Sequence, residues 1–576
     1  MTEVAHARNA GDAHDKVSGA NRDSGAQKRS ALVAVDLGAE SCRVSLLRWI
    51  GGQPELRLVH RFANAARLEG NDLRWDIDGI CRGVEDGLRA CAQLAPEGIA
   101  AIGVDGWAVD YVRLNPEGAP LANPFCYRDP RNVEALHRAQ SRIPPDWLYR
   151  LTGVQIISLN TLYQLYADRD DEQALPWINL PEYLLHRLGG KRVSEYTNAT
   201  HTQLLSVRDQ DWCAEIFQAA GLDVNAAPPV VRPGTRIGRL RGELASLPSF
   251  RDTRLIAPAC HDTASAIAGI PAQGDDWAFI SSGTWSLVGC VLNSACVSDA
   301  ARSANFSNQG GVGGKIYFLK NVNGMWLLRQ CLEQWRLQGQ VWTVEQLVDA
   351  CVDFDAPDGL INVDEPDLLL PGDMPARINA QLLRLGQASI PDGPAMAARM
   401  ANLIFHSLAA RYAAVLRHAT GITGKTLKRL YVVGGGSKNA LLNRLTAKAT
   451  GLEVLTGSTE SATVGNFAIQ LASLEGNYTN GIGVAANAVA GWASVLAAQP
   501  IDVLGIDALG KDTLVDTIRA HNAEEGQRST GKAEVSRKSW KYSYIAHWTI
   551  LISSCPHGDS PTLEPALENS SNSRQR

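Results

Sequence analysis

The chain reads as an α/β protein made of two related domains, and three observations carry that reading. Its 576 residues exceed what one hydrophobic core serves, so domains of ~100–250 residues are expected. The stretch "ALVAVDLGAESCRVSLLRW", Ala31 to Trp49, sets two apolar strand-like runs about a small-residue turn at Gly38 to Cys42. "WAFISSGTWSLVGCVL", Trp277 to Leu292, repeats that layout near the middle of the chain, where a duplicated fold places its second copy.

Residues Met1 to Ser30 are polar, small and without hydrophobic periodicity, so residues 1–30 are expected to form a disordered leader. Leu56 to Phe62 and Ile99 to Asp105 follow as strands, with helical spacing over Ile77 to Leu94 between them. Met396, Met400, Leu403, Ile404, Leu408, Tyr412, Val415 and Leu416 recur at the spacing of one helix face, and Gly421 is the expected C-cap. A strand at Leu430 to Val433 then runs into "GGGSKN", Gly434 to Asn439, ahead of a helix over Ala440 to Ala449. Ala488 to Pro500 is the last clear helical pattern. The expected boundaries are 31–272 for the N-terminal domain and 273–507 for the C-terminal domain. Residues 508–576, including "EEGQRSTGKAEVSRKSWK" from Glu524 to Lys541, read as a largely disordered tail.

Bulk properties narrow the function classes. Apolar residues make up 45% and charged residues 20%, as in an ordinary globular protein, and the formal net charge of −5 disfavours a nucleic-acid surface. The densest apolar run, Tyr544 to Ile552, is far short of the ~20 residues a spanning helix needs. No signal-like stretch opens the chain, so no membrane partner and a cytoplasmic location are expected. The 11 cysteines form no CxxC pair and no cluster with histidine, which argues against a zinc site or a disulfide framework.

Five segments carry candidate chemistry, most with a plainer alternative. In "VAVDLGAESCR", Asp36 at the end of a buried strand precedes a glycine turn, a way to hold hydrated Mg²⁺ beside backbone N–H groups that receive phosphate. A simple hairpin with an acidic turn residue is the alternative. In "VVGGGSKN" the glycines either admit a ligand to the backbone ahead of a helix N-terminus or form a flexible connector. The segment matches neither GxGxxG nor GxxxxGK[ST]. Thr284 in "SSGTWSLVG" is either a phosphate-binding hydroxyl or part of an ordinary turn, and Asp105 and Asp110 of "GVDGWAVDYV" leave a strand with Trp107 between them. In "PACHDTASAIAGIP", Asp262 among small residues suits a lone general base for phosphoryl transfer, while Asp262 or Thr263 would equally serve as a helix N-cap. No GxSxG elbow accompanies the His261–Asp262 pair, so a hydrolase triad is not indicated.

Together these segments, with "YRD" at Tyr127 to Asp129, "NTLYQL" from Asn160, "EYTNATHTQLL" from Glu195 and "LKNVNGMWLLRQ" from Leu319, resemble the FGGY family of carbohydrate kinases in family order over Ala31 to Pro500. "TLYQL", "EYTNAT" and "SSGTWSL" are most similar to its L-rhamnulose-phosphorylating branch. The resemblance implies two actin-like (ribonuclease H-like) domains with the active site in the cleft between them. It also implies transfer of the ATP γ-phosphoryl group to the C1 hydroxyl of L-rhamnulose, with Mg²⁺. Asp262 matches the catalytic base, while Ala108, His261, Asp262, Thr263 and Asn321 match sugar contacts. Ala39, Glu40, Ser41, Cys42, Arg43, Thr284, Arg329, Gly434, Gly435 and Gly436 match the nucleotide side, Arg43 supplying positive charge against the phosphates, with Asp36 near the metal. The chain departs from the family pattern at Gly106 and Ala108, where Thr and Gly are usual, at Cys42, where Gly is common, and at Arg329, where Gln is common. A small-molecule sugar is the implied partner, with the protein a monomer or homodimer. A related ketose such as L-fuculose or L-xylulose is the alternative acceptor. An actin-like nucleotide-binding protein without kinase activity is the other alternative, against which the joint presence of Asp36, Asp262 and Thr284 speaks.

Overall fold

The computed structural model describes residues 29–168, 175–369 and 372–503. The leader over residues 1–28, the tail beyond residue 503 and the run Tyr544 to Ile552 lie outside them.

The hairpin at the start of the chain is β1 (Ala31–Leu37) and β2 (Ser41–Ile50), continued by β3 (Gln53–Ala63), β4 (Ile99–Gly106) and β5 (Arg254–Ala257). These strands lie in the order β3-β2-β1-β4-β5, with Thr235–Arg239 beyond β5. The β1–β2 and β2–β3 pairs are antiparallel; the β1–β4 and β4–β5 pairs are parallel. The second hairpin is β6 (Trp277–Ser282) and β7 (Trp285–Leu292), followed by β8 (Ile316–Asn323), β9 (Arg429–Val433) and β10 (Glu453–Thr456). Their order β8-β7-β6-β9-β10, with the same senses of pairing, reproduces the first sheet strand for strand. The duplication seen in two hairpins therefore extends over five strands of each half. Near the end of the described chain, Ile501–Val503 pairs in parallel with β3 and so closes onto the first sheet rather than the second.

Seven helices matter below: α1 (Ile77–Leu94), α2 (Asp262–Ala268), α3 (Trp326–Leu337), α4 (Met396–Thr423), α5 (Ala440–Thr450), α6 (Ser461–Leu474) and α7 (Ala486–Ala497). Helix α4 does not stop at Gly421. It runs one turn further, so that Ile422 packs on the core, and ends at Gly424, whose φ of 69° is the left-handed cap.

Strand β1 is buried along its whole length because both of its faces are covered, which explains why its sequence is a nearly continuous apolar run. Ala31, Val33, Val35 and Leu37 join a core with Ile80, Val84 and Leu88 of α1. Leu32 and Ala34 point the other way, into a central core with Ala264 and Ile267 of α2, Val464 and Phe467 of α6, and Phe279 and Val433 of the second sheet. The two halves are thus joined by apolar burial around α2 and α6.

These two helices cross at glycines. A Cβ at Gly465 would lie 1.8 Å from the Ser265 carbonyl oxygen, and one at Gly269 would lie 2.3 Å from that of Ser461. The Ser461 hydroxyl donates to the Ala266 carbonyl at 2.7 Å across the same crossing. Overpacking of this kind destabilises by about 1–3 kcal/mol. Gly465→Ala is accordingly expected to lower the thermal midpoint by several degrees and to reduce turnover, whereas Gly491→Ala, in open space on α7, leaves both near wild type. Calorimetric melting of both variants checks this.

Candidate active site

Strand alternation decides which polar side chains look toward the central space. Asp36 shares the face of Leu32 and Ala34, and the register pairs Asp36 with Arg43 on β2 and with Asp105 on β4. Arg43 in turn lies opposite Arg61 on β3. In the second sheet, Asn321 shares the face of Tyr317 and Leu319, which also belong to the central core. The three aspartates Asp36, Asp105 and Asp262 lie close enough for the charge of one to raise the pKa of another. Burial drives Asp36 upward and Asp105 well upward from ordinary carboxylate values. Asn466 of α6 donates to Asp105 Oδ2 at 2.5 Å, and Gln470 donates to the Val33 carbonyl at 2.9 Å, so the second half grips the first sheet directly behind these acids.

Asp262 opens α2. The residue at the N-cap position is His261, and no side chain makes a capping bond there, so the cap alternative for Asp262 and Thr263 does not describe this helix. The Thr263 hydroxyl instead donates to Asp262 Oδ1 at 3.1 Å. Burial raises the Asp262 carboxyl to about 6, against the opposing hydrogen bonds of Thr263 and the charge of Arg43. His261 is buried and driven down to about 3 by desolvation, so its ring is neutral; Nε2 stands 3.5 Å from Asp262 Oδ1 and Nδ1 has no partner. The ring of His201 lies 4.0 Å from it, centroid to centroid.

Residues that the sequence reading left without a role hold this loop. The Glu195 carboxylate accepts from Cys260 N at 2.8 Å and from Thr197 Oγ1 at 2.5 Å, and Cys260 immediately precedes the His261–Asp262 pair. Glu182 accepts from Glu195 N and from Asn198 Nδ2, each at 2.9 Å. Burial lifts Glu195 to about 8 and Glu182 to about 7. The signal in the sequence was a glutamate amid small polar residues, which does not distinguish a buried brace from a solvated turn.

The turn after β4 is anchored by Asp110, whose carboxylate accepts from Trp75 Nε1 at 2.6 Å, Trp107 Nε1 at 2.9 Å and Gln164 Nε2 at 3.1 Å. Trp107 is core, and Asp110 is fully buried rather than solvated. Ala108 keeps a negative φ, and the left-handed residue is the next one, Val109 at φ 74°, unusual for a β-branched side chain. The Val109 carbonyl is held by Thr161 Oγ1 at 2.6 Å.

In the β1–β2 turn, Gly38 turns tightly, since a Cβ there would meet the Ser41 carbonyl at 2.4 Å. Ala39, Glu40 and Ser41 line the turn, but Cys42 does not present its side chain. It is buried in the first core, and burial pushes its thiol up to about 12, so only its backbone is available to a ligand. Arg43 is also placed differently from expectation: its Nη1 donates to Asp36 at 3.0 Å and its Nε lies 3.5 Å from Glu460. Glu40 and Arg329, the latter a departure from the family pattern, form an ion pair with each other across the two halves. Gln330 turns away and accepts from Gly372 N at 3.1 Å. Thr284 is half-buried in the β6–β7 turn, whose carbonyls cap the start of α3. Gly434, at φ 81°, and Gly436 approach Ser282, with a Cβ at Gly436 falling 2.0 Å from its hydroxyl; Gly435 alone has open space. The N-terminus of α5 is capped by Asn439, which accepts from Leu442 N at 2.9 Å and so takes up one of the free N–H groups there.

Among the described residues no group of three His, Cys, Asp or Glu side chains could hold a metal ion, and no helix is long and apolar enough to cross a membrane. Residues 31–269 match the model of the FGGY family of carbohydrate kinases, N-terminal domain, and residues 278–474 match its C-terminal domain. Curated relatives include a rhamnulokinase of Bacteroides thetaiotaomicron, 37% identical over 76% of this chain and 89% of that protein. A rhamnulokinase of Yersinia pseudotuberculosis is 36% identical over 77% and 90%. Among solved structures, a ligand-bound xylulose kinase from Lactobacillus acidophilus superposes with a TM-score of 0.65 at 16% identity, covering 81% of this chain and 96% of its own. Plasmodium falciparum glycerol kinase with ADP gives 0.64 at 13%, covering 88% and 99%. With the duplicated sheets, the acids gathered on their facing sides and both halves of the family model matched in order, this chain belongs to the FGGY family of carbohydrate kinases and is an ATP-dependent sugar kinase.

Proposed function

We propose that the protein transfers the γ-phosphoryl group of ATP to the C1 hydroxyl of L-rhamnulose, giving L-rhamnulose 1-phosphate and ADP. The sugar identity is supported by the curated relatives named rhamnulokinase. The chemistry is supported above all by Asp262, a carboxylate at the first position of α2 with its pKa raised to about 6 and a neutral His261 beside it. An acid of that strength is ionised at neutral pH yet basic enough to accept a hydroxyl proton. In this reading the C1 hydroxyl gives its proton to Asp262, its oxygen attacks the γ-phosphorus, and the bond to the β-phosphate oxygen breaks as ADP leaves. The unpartnered Nδ1 of His261, with Thr263, Asn321 and the Ala108 backbone, would hold the other hydroxyls. The first glycine turn, Thr284 and Gly435 would face the nucleotide.

A divalent cation fits the donor set only indirectly. Asp36 has one oxygen on Arg43, and mutual repulsion with Asp262 favours a nearby positive charge. Mg²⁺ retains several waters and binds through phosphates and one or two carboxylates, so Asp36 would hold it through water, and it would supply charge neutralisation on the polyphosphate.

Asp262→Asn is expected to lower sugar-dependent ADP release by at least about 10³-fold while ATP still binds, because the amide accepts no proton. An ADP-release assay with parallel calorimetry reads both, and turnover near wild type would overturn the role. For the wild type, kcat/KM for the sugar should rise with pH through about 6 and level off above it, since Asp262 is protonated and inactive below that value. A profile flat down to pH ~5 contradicts the assignment of this base. Across a ketose panel of L-rhamnulose, L-fuculose and L-xylulose, the highest kcat/KM is expected for L-rhamnulose; a clear preference for another ketose would replace it.

A further inference from the structure

We infer that Arg61 is a further side-chain cation that meets the polyphosphate of the nucleotide. The inference rests on the kinase reading above and deepens it by assigning the counter-charge of the phosphate turn.

The charges around the turn are unevenly matched. Arg43 faces two carboxylates, with Nη1 3.0 Å from Asp36 and Nε 3.5 Å from Glu460 at the start of α6. Arg329 is paired with Glu40. Both guanidiniums thus share their charge with acids, while Arg43 Nε makes no hydrogen bond. Arg61 stands next in the same row, opposite Arg43 across β2 and β3. Its Nε and Nη2 donate to the Ser41 hydroxyl at 3.3 and 3.1 Å, and among the described residues it has no ion pair. Ser41 is neutral and belongs to the turn itself, so the guanidinium is oriented there without losing its charge. Its field reaches the site, because it lowers the pKa of both Asp36 and Glu460. An exposed, oriented guanidinium with free donors suits phosphate oxygens, which accept two parallel N–H bonds from that planar fork.

A further exposed arginine near the turn, outside the Glu40–Arg329 pair, is Arg128. It donates to the Tyr127 hydroxyl at 3.1 Å and lies in the field of Glu40 rather than of Asp36. It therefore serves as the comparison.

The test uses the full chain as wild type, R61Q, R61K and R128Q. Calorimetry measures the binding of AMP, ADP and ATP without sugar, and ADP release measures KM for ATP and for L-rhamnulose. R61Q is expected to weaken ATP by about 10- to 100-fold, the range of a lost charged hydrogen bond, with a smaller loss for ADP and AMP within about twofold. The KM for the sugar stays within about twofold, and R61K recovers part of the ATP affinity. A structural defect would instead weaken all three nucleotides alike. ATP affinity of R61Q within twofold of wild type, an equal loss for AMP, or a loss confined to R128Q would each overturn the assignment. Failure of the kinase reading shows separately, as a wild-type chain that binds ATP but releases no ADP with any ketose. The phosphate-number series still decides the role of Arg61 in that case.

Discussion

The crossing of α2 and α6 is the constraint on which the rest of the molecule depends. At Gly269 and Gly465 the two backbones approach so closely that no side chain fits between them. That contact brings one helix from each half into a common apolar core with strands of both sheets. Because α2 begins with Asp262 and α6 begins just after Glu460, the same contact that joins the halves also sets the acids and arginines of the site relative to one another. Packing and chemistry are therefore coupled through a few residues, and a methyl group at the crossing would disturb both.

Around this crossing the site is a balance of buried charge. Burial raises the proton affinity of Asp36, Asp105 and Asp262, and neighbouring carboxylate charge raises that of Asp36 and Asp105 further. Arg43 offsets part of that repulsion from within the sheet, and Glu460 in turn draws on Arg43 from the second half. The resulting picture differs from a simple cationic phosphate pocket. Arg43 is itself engaged by acids from both halves, and Arg61 stands beside it in the next strand without an ion pair among the described residues. The Glu40–Arg329 pair makes the same point: an acid in the β1–β2 turn is offset by a cation where the family pattern usually has a neutral amide.

The support of the catalytic loop shows a second layer of design. Glu195 and Glu182 form a buried relay of carboxylates whose acceptor oxygens take up the backbone N–H groups of Cys260 and Glu195. Unpaired N–H groups in such surroundings would be strongly unfavourable, so these acids hold the His261–Asp262 corner in one conformation. Val109 makes a comparable contribution on the sugar side, its left-handed backbone being held by Thr161 and by the Asp110 cluster of two tryptophans and a glutamine.

Local pattern carried much of this. The strand runs, the two hairpins, helix α1 with its exact ends and the duplicated layout were all legible, because alternation, helical spacing and glycine turns are properties of neighbouring residues. The order of the motifs likewise pointed to the family and to Asp262. What the linear chain could not express was pairing over long distances. Cys42 and Arg43 are adjacent, yet one faces the core and the other the cleft, and the partners of Arg43 lie 7 residues before it and, at Glu460, in the other half. Gly434 and Gly436 lie against Ser282, a neighbour far earlier in the chain. The end of α4 at Gly424 rather than Gly421 was likewise decided by what Ile422 packs against. The sequence by itself determined the elements and the chemical types in the site. Only the tertiary structure decided which charges neutralise one another and which remain open to a substrate, because electrostatic partnership depends on distance in space and not on distance along the chain.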